Sequence, residues 1–200
     1  LDLGDIPEES DADAGYEFDG WYRVDTDEKW DFTTSTVAKS EYSGDETEMT
    51  IKLEERHKPI EYTISLTLDD GEFAEDTVVP DTYNIETETF IIPNPEKTGY
   101  TFVGWKNGEA APVLNYEIAK GSMGNISLTA IWDANEYTVR YNINATTYIT
   151  DDSEEPSTHT YDISSALSEN KFKRDYYTFE GWAVSFDGEV VYEDKATVKN

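Results

Sequence analysis

From Tyr62 to Leu68 the chain alternates along YTISLTL, rich in β-branched and aromatic residues, and runs directly into Asp69-Asp70-Gly71. Alternation with period two gives an extended segment one buried and one solvated face, so a strand and its exit turn are predicted here. After a polar stretch, a short strand is expected at Thr89 to Ile92, stopped by Pro93-Asn94-Pro95, because proline has no amide to give to a ladder. A turn ending at Gly99 then leads into a second strand from Tyr100. In PVLNYEIAKG the spacing changes: Leu114 and Ile118 stand four apart, with Pro112 before and Gly121 after, which predicts one or two helical turns. Asn125 to Trp132 returns to strand character and closes the unit.

The same succession recurs. YEFDGW at Tyr16, YTFVGW at Tyr100 and YTFEGW at Tyr177 place Gly-Trp pairs 84 and 77 residues apart, and EYTISLTLDD from Glu61 matches EYTVRYNINA from Glu136 at a spacing of 75. Agreement in two registers establishes an internal repeat. The expected units are residues 1–56, 57–133 and 134–200. The middle one is complete. The first holds GYEFDGWY, KWDFTTSTVA and a closing MTIKLEE but no opening strand. The third has an opening strand, the aromatic strand and EVVYEDKATVKN, but no closing strand. Turns between units, around His57-Lys58-Pro59 and Asp133-Ala134-Asn135, are a few residues long and restrict freedom between neighbours.

In a strand, Tyr100, Phe102 and Gly104 share one face while Val103 and Trp105 share the other. A glycine inside a strand marks a bulge or a close backbone approach. Gly104 is therefore expected to kink the chain and swing Trp105 toward the core filled by Phe102. Burial of Trp21, Trp105 and Trp182 follows, against the competing reading of tryptophans as exposed platforms for sugars.

With Tyr62-Thr63-Ile64 or Tyr137-Thr138-Val139 at the start, IPNPEKTGYTFVGW in the middle and GSMGNISLTAIW at the end, the chain resembles the Listeria-Bacteroides repeat, or internalin B-repeat, over nearly its whole length. The departures are Tyr176, which stands where Gly15 and Gly99 stand, and Glu54-Glu55-Arg56, which replaces the usual small residue and Trp. The resemblance implies an α+β fold of tandem small β-grasp-like repeats, mostly strand with one short helix per repeat. It also implies a spacer or interaction module of bacterial surface or secreted proteins, with no catalytic residues to carry over.

Composition narrows the remaining classes. A hydrophobic fraction of 37% with 14% aromatics supplies cores, so the chain is expected to fold despite its charge. Fifteen basic against 44 acidic residues give a net charge of -29, which repels nucleic acids and anionic lipid surfaces. No run of about 18 apolar residues is present to span a bilayer, and the start LDLGDIPEES lacks the pattern of a signal peptide. Zero cysteines remove disulfides, thiol nucleophiles and Cys-based zinc sites.

Catalytic material is scarce. The two histidines, His57 in a linker and His159 in a polar loop, are expected to be exposed, which leaves Ser/His/Asp catalysis and His-based zinc binding without parts. Among 44 carboxylates a pair at acid/base distance carries no information. DADAG at Asp11 to Gly15 and DDSEE at Asp151 to Glu155 gather oxygen ligands without completing an EF-hand loop. Asn125-Ile126-Ser127 and Asn144-Ala145-Thr146 match a glycosylation acceptor that means little in a bacterial chain. The expectation is a non-catalytic, extracellular, monomeric module with no cofactor, no metal site and no catalytic residue. Its partner would be a protein or cell-surface component, without nucleic acid or membrane insertion. The alternative is an accessory carbohydrate-binding segment of a secreted polysaccharide-active enzyme.

Overall fold

The structure, a computed structural model, describes residues 7–35, 50–144 and 155–199. Among these residues every regular element is a strand. In the first repeat, β1 (Tyr16–Arg23), β2 (Lys29–Trp30) and β3 (Leu53–Pro59) make a sheet of order β2-β1-β3. The middle repeat contains β4 (Tyr62–Thr67), β5 (Thr82–Tyr83), β6 (Phe90–Ile91), β7 (Tyr100–Asn107), β8 (Glu117–Ile118) and β9 (Ile126–Ala134). Four of these form a sheet of order β5-β4-β9-β7, and β6 pairs with β8. The third repeat has two strand pairs, β10 (Glu136–Val139) with β11 (Ser157–Thr160) and β12 (Ser165–Ala166) with β13 (Thr197–Val198).

The chain folds as two compact units. One comprises Leu1–Leu66, Val78–Pro93 and Asn115–Leu128; the other comprises Thr67–Thr77, Asn94–Leu114 and Thr129–Asn200. The first unit buries Trp30, Ile64, Tyr83, Ile92, Ile118 and Leu128. The second buries Trp105, Ala130, Leu167 and, unexpectedly, His159.

An α+β fold with a helix per repeat, and with it the β-grasp expectation, is overturned: among the described residues the fold is all-β. The segment that suggested a helix shows why. Leu114 is exposed while Ile118 is buried, so the two do not share a buried helical face. Asn115 adopts φ +54, outside the right-handed helical region. Val113 and Trp105 exchange amide–carbonyl bonds of 2.9 Å in both directions, and Ile92 donates to the Tyr116 carbonyl at 2.8 Å. Main-chain groups that a helix would use internally are spent on neighbouring strands, and Ile118 pairs with Phe90 instead. The linker expectation also shifts. His57-Lys58-Pro59 end β3, and Asp133 and Ala134 belong to β9, so the turns fall after them. Thr36 to Ala38, the end of the KWDFTTSTVA stretch, and Met49 lie outside the described residues.

The kink at the Gly-Trp pair is present in all copies. Gly20, Gly104 and Gly181 have φ of +141, +148 and +144, a region that side chains rarely enter. In β1 the register slips between Phe18 and Gly20, the mark of a bulge. Trp105 meets Phe102 edge to face at 5.5 Å and Phe73 at 6.3 Å, fully buried. Trp21 and Trp182 keep the same partner, Phe18 at 6.2 Å and Phe179 at 4.9 Å, yet are only half-buried. Burial of the motif is thus graded, deepest in the complete repeat.

A second glycine position explains a departure in the third copy. Gly15 and Gly99 take φ +86 and +79, and Tyr176, which replaces them, takes φ +70 with its side chain fully exposed. A side chain held in the left-handed region costs about 1–2 kcal/mol, and this one recovers nothing through burial. Tyr176→Gly is therefore expected to stabilise the protein by about 1 kcal/mol in chemical denaturation. An unchanged or lower midpoint would show that Tyr176 has a compensating contact.

Candidate functional site

The recurring polar geometry of the molecule lies where one repeat passes to the next, and it is built twice. In the first unit, the Ile60 amide after β3 donates to the Gly15 carbonyl at 2.9 Å. The missing Cβ of Gly15 leaves room for Ile85, whose Cδ1 lies 2.8 Å from where that Cβ would stand. Beside it the Tyr16 hydroxyl donates to Glu86 Oε1 at 2.8 Å. In the second unit, the Asn135 amide after β9 donates to the Gly99 carbonyl at 2.9 Å, and a Cβ on Gly99 would overlap the Tyr161 ring. The Tyr100 hydroxyl donates to Asp162 Oδ2 at 3.0 Å, and the Tyr100 and Tyr161 rings meet edge to face at 5.5 Å.

Each junction therefore joins a tyrosine to a carboxylate next to a glycine that admits an apolar side chain. The electrostatics match. The bond to Glu86 raises the Tyr16 phenol above its ordinary value, and the bond to Asp162 does the same for Tyr100. Asp162 is held below the usual carboxylate range, first by Tyr100 and then by Lys199, 3.3 Å away. A depressed carboxylate favours the folded junction above its unfolded pKa, and that favour fades as pH falls through the folded value. Sequence reasoning misses these pairs. The available signal is the tyrosine that opens YxFxGW together with Ile85-Glu86 and Tyr161-Asp162, which recur 76 residues apart.

The residues singled out for chemistry fall elsewhere. His159 is not a loop histidine: it lies in β11, buried, opposite Tyr137 where Tyr83 lies opposite Tyr62. Its ring stacks on Tyr137 at 5.5 Å, and its two nitrogens lie 2.7 Å from Ser157 Oγ and 2.5 Å from Ser165 Oγ. It is a core residue whose polar atoms are matched by hydroxyls. His57, in β3, faces Phe18 across the ladder with its ring 6.1 Å away, and its Nε2 lies 3.0 Å from Glu55 Oε1. Among the described residues no group of three or more histidine and acidic side chains is arranged to hold a metal. Asp151 to Glu154 and Ala145-Thr146 lie outside the described residues.

One acidic side chain is strongly perturbed. Asp31 accepts bonds from the Thr33 hydroxyl at 2.6 Å, the Thr34 hydroxyl at 2.7 Å and the Thr33 amide at 2.8 Å. These push its carboxyl down to about 2. Its folded-state pKa being depressed, the stability it contributes is present above its ordinary value and disappears as pH falls toward about 2. In a titration followed by side-chain NMR, Asp31 is expected to stay ionised to about pH 2, and Thr33→Val to return it toward the ordinary 3.8. An unperturbed Asp31 would mean the turn is not formed in solution.

Aromatic faces suited to sugar stacking are partly covered. Beside Tyr100 and Trp132, the Lys97 ammonium sits 4.5 Å over the first ring and 5.9 Å over the second, and the Trp132 indole donates to the Leu68 carbonyl at 3.0 Å. In the first repeat Phe18, Trp21 and Trp30 line an open groove with Asp19, Lys29 and Asp31.

Comparison with known proteins gives this repeated geometry a context. The model of the Listeria-Bacteroides repeat domain matches residues 6–42, 62–131 and 137–200. The chain belongs to the Listeria-Bacteroides repeat family. A curated relative from Evansella cellulosilytica, described as "Putative membrane protein", is 32% identical over 179 residues, covering 87% of this chain. The chain spans 24% of that relative's length. No solved structure matches the chain. Among the described residues no helix is long and apolar enough to cross a membrane. In this Listeria-Bacteroides repeat chain, the second and third matched segments begin within two residues of Ile60 and Asn135, the junction residues.

Proposed function

We propose that the chain is a non-catalytic spacer of a bacterial cell-surface or secreted protein, composed of repeats 1–56, 57–133 and 134–200, which also offers surfaces to a protein partner. The observation that carries this reading is the repetition of one junction, Tyr16–Glu86 and Tyr100–Asp162, in a chain of three tandem family segments. A catalytic site is needed once, whereas a device found at each passage between repeats serves the array as a whole. Hydrogen-bonded junctions limit bending between neighbours in a way that short linkers alone do not. The family relationship and a relative named as a membrane protein favour the cell surface. The alternative carbohydrate-binding reading is weakened by Lys97, which covers the aromatic face of the middle repeat.

Small-angle scattering of the monomeric chain at low and high salt tests the proposal. A repeat of some 70 residues is about 28 Å across by the usual size scaling, so three in line reach roughly 80 Å. That length should survive added salt, because screening beyond about 8 Å removes charge repulsion but not the junctions. The profile of one compact sphere in both conditions would sink the spacer reading.

A further inference from the structure

In the complete middle repeat, Glu72 and Glu96 stand directly opposite each other in an antiparallel bridge, each amide donating to the other's carbonyl, at 2.9 and 2.8 Å. Residues paired in this way send their side chains to one face with Cβ atoms about 5 Å apart, and like charges so placed are destabilising. Both residues are exposed, and among the described residues neither carboxylate is matched by a cation. The repeated motif does not demand this. Glu96 stands four residues before Tyr100, and the same position holds Ala12 before Tyr16 and Lys173 before Tyr177. A local rule broken without a packing reason points to a functional place.

The two carboxylates rim a notch of about 380 Å³, lined with them by Pro95, Phe102 and Trp132. Its aromatic part is held in place by the fold. The Phe102 and Trp132 rings meet edge to face at 5.2 Å, and the indole nitrogen donates to the Leu68 carbonyl at 3.0 Å. Gly71 has no Cβ, and one placed there would lie 2.4 Å from Trp132 Cζ2. Lys97 forms one side, its ammonium 2.8 Å from the Asp69 carbonyl and 3.6 Å from the Asp69 carboxylate. That ammonium lies over Tyr100 and Trp132, so these rings already hold a cation. Because Asp69 answers the charge of Lys97, the two glutamates leave the notch negative.

We propose that this notch binds an arginine side chain presented by a basic segment of a partner protein. The guanidinium would lie between the carboxylates of Glu72 and Glu96, with its stem against Phe102 and Trp132. Charge complementarity names the occupant, since a chain of net charge -29 draws a basic partner and two unmatched carboxylates fix where one cation sits. Arginine suits the notch better than lysine: its planar fork of donors serves two carboxylates at once, and its flat face packs on aromatic rings. The site specifies the partner chemistry of the proposed function and rests on that half of it. The spacer half is tested by scattering alone, so either can fail without the other.

The test uses the whole chain and the peptide acetyl-Gly-Arg-Gly-amide, followed by NMR at the Trp132 indole and at the Glu72 and Glu96 amides. A single positive charge keeps general attraction to an acidic surface small. Expected are a Kd of about 1 to 5 mM and binding of acetyl-Gly-Lys-Gly-amide at least about threefold weaker. Glu72→Gln and Glu96→Gln should each weaken the arginine peptide about three- to fivefold. Glu109→Gln, the same change of charge in an exposed turn outside the notch, should leave its affinity unaltered. Without peptide, Glu96→Gln should raise the folding constant up to about fivefold in urea titration, because it relieves the like-charge pair. No saturation at the Trp132 indole by about 20 mM overturns the proposal, as does equal binding of the lysine peptide or equal weakening by Glu109→Gln. A loss of stability in Glu96→Gln overturns it as well, since the glutamate would then serve a structural contact.

Discussion

Trp105→Ala is expected to lower the stability of the protein by about 4 kcal/mol, a large-to-small change in a packed core. Trp105 has no solvent exposure, and its ring is enclosed by Phe102 at 5.5 Å and Phe73 at 6.3 Å. Its main chain is fixed on both sides by 2.9 Å bonds to Val113, so the backbone has little freedom to collapse into the space left. The two other copies of the motif are an internal control. Trp21 and Trp182 touch a phenylalanine in the same way but remain half-buried, and their replacement by alanine should cost about half as much. Urea unfolding of the three variants gives the comparison. A loss below about 1 kcal/mol for Trp105→Ala, or equal losses at all three sites, would contradict the graded burial.

Strands are legible in the sequence because alternation and proline or glycine stops act locally. Tyr62 to Leu68, the start at Tyr100 and Asn125 to Trp132 all fall within a residue or two of β4, β7 and β9. The bulge is legible for the same reason, since only glycine tolerates φ near +145 and the chain places one before each repeated tryptophan. The helix is a misreading because a four-residue spacing of Leu114 and Ile118 is also produced by a chain that bends at Asn115 and pairs elsewhere. No pattern within ten residues records that Val113 will meet Trp105. His159 is misplaced when polarity is taken for exposure. Its burial depends on Ser157 and Ser165 arriving at its two nitrogens, a condition visible only once β11 and β12 are folded. The junctions escape because each joins residues about 60 to 70 apart, Tyr100 with Asp162 and Tyr16 with Glu86. They become readable when the repeats are aligned and the tyrosine and carboxylate are seen to recur together.

Gly104→Ala should be as damaging as the loss of the tryptophan beside it, for a different reason. At φ +148 an added Cβ brings backbone strain of about 1–3 kcal/mol. It would also stand 2.7 Å from the Val113 nitrogen and 2.8 Å from its carbonyl carbon, where overpacking adds about 1–3 kcal/mol. Val113 has no easy retreat, because its amide and carbonyl are both engaged with Trp105. The expected loss is therefore about 4 kcal/mol. Gly20→Ala separates the two contributions: its φ is nearly the same, but its Cβ would meet only the side chain of Lys29, with Cε at 2.5 Å, the far end of a flexible chain that can swing away. That variant should lose only the conformational part, about 1–3 kcal/mol. Gly181→Ala should fall nearer to Gly104→Ala, since the Tyr192 carbonyl oxygen would lie 2.6 Å away. Equal losses at Gly20 and Gly104 would assign the whole effect to backbone conformation. A near-neutral Gly104→Ala would mean that the close passage of Val113 over the kink is not what holds the repeated motif together.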